Sequence, residues 1–250
     1  MTRGAPWWRS YFDDVFFRLH DPLFSEAASR REVGAMLELL GLPHGSRILD
    51  VPCGWGRHTQ LFAGAGLDAF GADLSTDLLA RVEATPPAGR AHYAAADMRA
   101  LPFADASFDA VVNVFTSLGL FLDDAEDVRA LAEARRVLRA QGTLLLESMH
   151  RDEVIAAYAE RDRWRLPDGT EVRVRRRFDP VSGVSHERWR WRGPDGAQGR
   201  KRHALRLRTA TEIDGLLRTA GFAHIDYFGD WDGSPLTHDA ERLIAVARRA

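Results

Sequence analysis

Cysteine is almost missing from this chain. Cys53 is the single one in 250 residues, which excludes a disulfide framework and a cysteine-built zinc site. Lysine is as scarce: Lys201 stands alone among 34 basic residues, and with the abundant alanine this reads as GC-rich coding rather than as function. The nine histidines are dispersed without paired ligand spacing, so no metal site is expected. No apolar run reaches membrane-spanning length, and the first residues carry charges and tryptophans where a signal peptide needs an apolar block. A cytoplasmic protein without a membrane partner is expected. Internal repeats and low-complexity segments are absent, and the formal net charge is only −2. What is present is 45% hydrophobic, enough to bury a large core without a staple.

The most informative stretch is Ile48–Leu49–Asp50–Val51–Pro52–Cys53–Gly54–Trp55–Gly56–Arg57–His58, with Asp73 closing the next apolar run. A short buried strand runs into a glycine-permissive turn and then into a helix. Gly54 and Gly56 remove the Cβ atoms that would keep the backbone away from a ligand. An acid at the end of the second strand is placed to accept from the hydroxyls of a ribose. This constellation suits an adenosine-containing cofactor. A dinucleotide turn wants a third small residue three positions after its second glycine. Here that position is Thr59, behind the bulky Arg57 and His58, which fits a ligand with no pyrophosphate across the helix N-terminus.

The pattern Asp-x-x-Cys-Gly-x-Gly, followed by Asp73, resembles motif I and the ribose-binding acid of the class I S-adenosylmethionine-dependent methyltransferases. Two further segments carry the resemblance. Ala96–Asp97–Met98 ends a third apolar run, and Ser107 to Phe115 matches the family's fourth strand. The resemblance covers about residues 30–150. It implies S-adenosyl-L-methionine as cofactor, with Asp50, Cys53, Gly54, Gly56, Asp73 and Leu74 around the glycine turn and ribose. It also implies Asp97 and Met98 at the adenine, and Asn113 and Phe115 toward the methionine portion. The loop Asn113–Gly119 looks like a substrate-facing loop of small-molecule members, which brings in Ser117.

The implied fold is α/β: a Rossmann-like, mostly parallel sheet with its last strand antiparallel, flanked by helices and carrying an antiparallel β insertion. The alternation of strand and helix from Arg47 to about His150 agrees. Asp124 to Arg139 reads as an amphipathic helix broken by Gln141–Gly142, and Thr143 to Met149 as a fifth buried strand. Three stretches then alternate with period two: Glu171–Arg175, Arg188–Arg192 and Ala204–Arg208. They put Val172, Val174, Trp189, Trp191, Leu205 and Leu207 on one face and arginines on the other. The arginine face is expected to be solvated and to discourage edge pairing, with nucleic-acid binding the less favoured alternative. A helix from Thr211 to Ala220 and strands His224–Gly229 and Leu243–Arg248 complete the chain. One domain is expected: N-terminal lid helices over 1–30, cofactor core over 31–154, insert over 155–208, and the final helix and strands over 209–250.

The N-terminal run Trp7–Trp8–Arg9–Ser10–Tyr11–Phe12–Asp13–Asp14–Val15–Phe16–Phe17 is too aromatic for an idle tail. It resembles the helix that closes over cofactor and substrate in small-molecule N-methyltransferases. There Tyr11 would reach the methionine carboxylate, with Trp8, Phe12 and, from the insert, Trp164 at the substrate. A helix that merely packs on the sheet edge is the alternative. Methyl transfer draws mainly on proximity and orientation. If a base takes the acceptor's proton, His150 and Glu147 are the candidates and His58 the reserve. Equally, His150 can be a helix cap and Glu147 a buried partner. The expected activity is methyl transfer to a small molecule, nitrogen ahead of oxygen, by a monomer or homodimer. A nicotinamide-dependent oxidoreductase and a non-catalytic cofactor-binding protein are the alternatives.

Overall fold

The computed structural model describes residues 6–83 and 89–250, so the first five residues of the expected lid lie outside the described residues. The chain opens with two short helices, α1 (Trp8–Tyr11) and α2 (Asp14–His20), followed by the 3-10 turn Asp21–Leu23 and α3 (Glu26–Leu40). Helix and strand then alternate: β1 (Arg47–Asp50), α4 (Arg57–Gly64), β2 (Asp68–Asp73), α5 (Thr76–Glu83), β3 (Arg90–Ala95) and β4 (Phe108–Asn113). α6 (Asp124–Val137), β5 (Leu138–Met149) and α7 (Arg151–Ala156) lead to the insert. The insert holds β6 (Arg161–Arg165), β7 (Glu171–Asp179), β8 (Val184–Arg192) and β9 (Gln198–Arg206). α8 (Ala210–Thr219), β10 (His224–Phe228) and β11 (Arg242–Arg248) finish the fold.

The main sheet has seven strands in the order β10-β11-β5-β4-β1-β2-β3. β1, β2, β3, β4 and β5 pair in parallel, while β11 runs antiparallel to both β5 and β10. The expected fold class is therefore present. Chain order reverses between β1 and β4, and ligands of open α/β sheets sit at such a switch point, beyond the carboxyl ends of the strands. One apolar core, built around Phe108, Leu144 and Phe222, fills one face; a second, around Met36, Ile48 and Phe62, fills the other.

α6 ends at Val137, and the segment expected to break it belongs to β5. Gln141, at φ +64°, lies beside a register shift between Phe108 and Ala110, so Gln141–Gly142 bends the strand rather than stopping the helix. The guanidinium of Arg249 donates to the carbonyls of Arg135, Arg136 and Leu138 and takes over the orphan acceptors of the helix end. At the other end Asp123 accepts from the Ala125 amide at 2.9 Å, and acids fill the first turn where the helix dipole favours them.

The insert is a four-stranded antiparallel sheet, one strand more than the alternation predicts. β6 reads Arg-Asp-Arg-Trp-Arg, with Trp164 its only apolar residue, so its period-two signal is faint. β9 begins at Gln198, and Gly199 pairs with Trp191. A Cβ there would lie 2.7 Å from the Trp191 ring, so the indole packs flat on bare backbone. The inner face buries Val172, Val174 and Trp189 against Leu19 of α2, which places the N-terminal helices between the insert and the main sheet.

Candidate functional site

The carboxyl edge of the sheet is built around the turn after β1. Gly54 and Gly56 have φ of +57° and +75°, conformations that favour glycine. Their roles divide. A Cβ at Gly54 would meet nothing within 4 Å, which leaves its surface open to a ligand. At Gly56 a Cβ would lie 2.8 Å from Tyr93 Oη, so that glycine serves packing of the turn on β3. Thr59 donates to Asp50 Oδ2 at 2.7 Å, which explains a hydroxyl where a dinucleotide turn has a small residue. Burial raises the Asp50 carboxyl above its ordinary range, and pushes the Cys53 thiol up, leaving it inert packing in the turn.

Asp73 ends β2 and accepts from the amides of Gly54 and Ser75, each at 2.8 Å. Burial raises its carboxyl, and those amides oppose the rise. Asp97 is held from one side by Arg99, whose Nη2 and Nε lie 2.6 and 2.9 Å from its oxygens. That pairing keeps Asp97 below the ordinary carboxylate range. Arg99 also reaches Glu126 at 2.5 Å and lies between the rings of Trp8 (4.9 Å) and Phe121 (4.4 Å). Trp8 thus covers the Asp97 side of the edge. Met98 is buried in the core, its sulfur 3.7 Å from Asn113 Nδ2, which also donates to the Val51 carbonyl at 2.8 Å. Asn113 Oδ1 is buried without a partner.

After β4 the chain takes two left-handed residues in a row, Phe115 (φ +60°) and Thr116 (φ +54°). Such strain persists only where the surroundings over-determine it. Glu147 Oε2 accepts from the Phe115 amide at 2.6 Å, and Thr116 Oγ1 accepts from the Met149 amide at 2.9 Å. Ser117 donates to the Val114 carbonyl at 3.0 Å and is buried within its own loop. Glu147 is buried, which raises its carboxyl, and its other oxygen takes Arg242 at 3.1 Å. His150 is buried at the start of α7, with Nδ1 3.1 Å from the Ala240 carbonyl and Nε2 3.7 Å from Asp152. His58 Nε2 lies 3.0 Å from Glu32. All three expected bases have structural partners.

The N-terminal helices lie over this edge. The Phe12 carbonyl accepts from Ser75 Oγ, two residues after Asp73. Phe17 and Phe24 pack on Trp55 of the glycine turn, at 5.4 and 6.0 Å between centroids. Tyr11 is buried with its hydroxyl unpartnered, and burial pushes its pKa up. Trp164 sits in the insert's own core, 5.1 Å from Trp189, rather than at the sheet edge.

The face predicted as apolar also carries groups that the hydrophobic pattern passed over. Glu187 accepts from Arg176 Nε at 2.9 Å and Trp189 Nε1 at 2.8 Å, with His203 Nε2 3.6 Å away. The His203 ring is 5.0 Å from that of Tyr11, and its Nδ1 is buried without a partner. Burial lowers the His203 pKa and leaves the ring neutral. Period-two parity was the available signal, since residues 187 and 203 share the parity of Trp189 on their strands.

The residues fit S-adenosylmethionine. Leu74, Phe115 and Met149, 36, 38 and 47% exposed, are large apolar side chains at the ends of β2, β4 and β5, beside open Gly54 and the buried orphan Asn113 Oδ1. An adenosyl group with a polar methionine tail matches that surface. Comparison with known proteins agrees. Residues 48–142 match the family described as Methyltransferase domain. The chain is similar to a demethylmenaquinone methyltransferase of Renibacterium salmoninarum, 36% identical over 54% of this chain and 55% of that one. It spans about half the length of the curated relatives it matches.

Among solved structures, the CcbJ methyltransferase of Streptomyces caelestis shares the fold at TM-score 0.83 and 17% identity, over 97% of this chain and 99% of that one. The S-adenosylmethionine-bound CalS10 of Micromonospora echinaspora, an amino pentose methyltransferase of calicheamicin biosynthesis, is 26% identical at TM-score 0.72, over 95% and 97%. Residues 48–142 thus carry a methyltransferase domain, and the residues at its carboxyl edge fit S-adenosyl-L-methionine as cofactor. Among the described residues no group of three or more His, Cys, Asp or Glu could hold a metal, and no helix is long and apolar enough to cross a membrane.

Proposed function

We propose that this chain transfers a methyl group from S-adenosylmethionine to a small-molecule acceptor, at nitrogen rather than oxygen. The observation that carries the reading is the carboxyl edge itself: exposed Leu74, Phe115 and Met149 around an open glycine, under a lid of aromatic helices. When bound, the cofactor supplies an activated methyl on a sulfonium. Asp73 would hold the ribose, the Asp97 segment would flank the adenine, and the strained Phe115–Thr116 loop would border the methionine end. Trp7 Nε1, Tyr11 Oη and His203 Nδ1 are buried polar atoms without partners in and beside the lid, two donors and an acceptor for the incoming molecule. α1 and α2 exclude water from this space.

The nitrogen preference rests on protons. A neutral amine brings its own lone pair, whereas a hydroxyl depends on a base. Glu147 and His150 spend their polar atoms on Phe115, Arg242 and Ala240. Similarity to an amino pentose methyltransferase points the same way. The test is incubation with methyl-labelled donor and a pool of small metabolites. Label is expected in an extractable amine; label only in protein or RNA, or donor binding without any transfer, overturns the reading.

A further inference from the structure

The outer face of the insert bears arginines in an arrangement that its solvation does not require. The register sets Arg161 opposite Arg175, Arg175 opposite Arg188, and Arg188 opposite Arg202. A second rung runs Arg163, Arg173, Arg190, Arg200. All eight are exposed. Strands lie about 4.8 Å apart and alternate residues along a strand about 6.7 Å apart, so each arginine has at least one arginine opposite it and one along its own strand. Like charges directly opposite destabilise a sheet. Among the described residues the acid within 4.0 Å of either rung is Glu171, 3.8 Å from Arg173. GC-rich coding accounts for arginine in place of lysine. It does not account for two complete rungs without interleaved acids, in a chain whose formal net charge is −2.

We propose that this face binds the phosphate backbone of duplex nucleic acid, independently of methyl transfer. Charge density argues for it: the two rungs need a partner that presents anions continuously, and a duplex carries one charge per about 1.7 Å of axis. Shape argues for a rod rather than a plane. A four-stranded sheet twists by roughly 20–25° per strand pair, which makes its face a saddle. A saddle touches a flat bilayer over a small area but follows a cylinder along its concave diagonal. The aromatic side chains of the insert strands, Trp164, Phe178, Trp189 and Trp191, share the parity of the opposite, inner face. The arginine face thus offers no stacking platform for single-stranded bases and no apolar anchor for lipid. Contacts to phosphate carry no sequence information, so recognition is sequence-independent.

The test is fluorescence anisotropy of the full chain with a labelled duplex of about 20 base pairs near 0.15 M salt. A single strand, phosphatidylserine vesicles and poly-L-glutamate compete. The duplex is expected to bind best, with log affinity falling linearly in log salt. Replacing Arg188→Glu together with Arg190→Glu should weaken binding at least tenfold and flatten the salt slope by about 2. The free variant should melt no lower than wild type, because the substitutions relieve like-charge contacts. Should that pair misfold, Arg161→Gln with Arg202→Gln at the sheet edges must show a smaller loss in the same direction. No duplex binding near 0.15 M salt overturns the proposal. So do tighter binding of vesicles or poly-L-glutamate, and variants that bind like wild type.

Discussion

Asp73 Oδ2 accepts the Gly54 amide at 2.8 Å, so the acid that closes β2 also fixes the glycine turn that follows β1. The geometry of the turn and, on the proposed function, recognition of the ribose therefore depend on one carboxylate. Replacing Asp73→Ala removes two hydrogen bonds to a charged acceptor, each worth about 1.5–3 kcal/mol. The variant should melt lower and bind S-adenosylmethionine at least tenfold more weakly by calorimetry. Asp73→Asn keeps one acceptor oxygen and should restore much of the melting temperature but little of the affinity. Unchanged affinity in either variant would remove Asp73 from the cofactor site.

Glu147 offers a different separation. Its carboxylate holds the Phe115 amide in a left-handed turn and pairs with Arg242. A glutamine can still accept from that amide, whereas an alanine leaves it buried and unpaired. Glu147→Gln is expected to keep turnover within a few-fold of wild type, and Glu147→Ala to lose about 2–3 kcal/mol of stability. A loss of a hundredfold or more in the glutamine variant, with donor binding intact, would make Glu147 a base instead.

Most of the fold was legible in the sequence because parallel strands are short, apolar and punctuated by turns. β1, β2, β4 and the antiparallel β11 follow from such runs, and Asp73 and Asp97 from their place at strand ends. What escaped was information held in tertiary partners. Arg99 reads as an ordinary surface residue until it grips Asp97 between Trp8 and Phe121. The end of α6 depends on Arg249, more than 110 residues further along the chain. Glu187 and His203 lay on a face judged by its apolar residues alone. Gly199 reads as a turn because nothing local shows that Trp191 needs bare backbone beneath it.

The lid should respond to pH through His20. Its ring stacks between Phe16, 4.0 Å away, and Trp189, 4.7 Å away, and burial lowers its pKa from 6.5 to about 4. The unfolded chain takes up the proton first as pH falls, while the folded chain resists it. The stabilisation is complete above about 6.5 and is lost between there and about 4, a change on the order of 3 kcal/mol. His20→Phe keeps the stack without a titrating group. The difference in melting temperature between pH 7.5 and 5 should therefore be smaller in that variant than in wild type. Equal differences would show that the ring is solvated.

Lys201 ties the insert to the lid. Its ammonium lies 2.6 Å from the Tyr11 carbonyl and 2.6 Å from Asp13 Oδ1, at the junction of α1 and α2. Asp13 is also the N-cap of α2, accepting from Phe16 at 2.8 Å, so one contact steadies both helices. Replacing Lys201→Met keeps most of the apolar stem and removes the charge, leaving Asp13 and a carbonyl without their donor. α1 and α2 should then open more often than the core. Protease should cut within residues 6–20 faster than in wild type, and donor affinity should fall a few-fold while the main sheet stays folded. The chain's single lysine gives an independent readout. An amine-reactive label should modify Lys201 slowly, and more slowly still with S-adenosylmethionine present, because a closed lid keeps the ammonium engaged. Rapid labelling unaffected by the cofactor would mean that the helices do not close over the site.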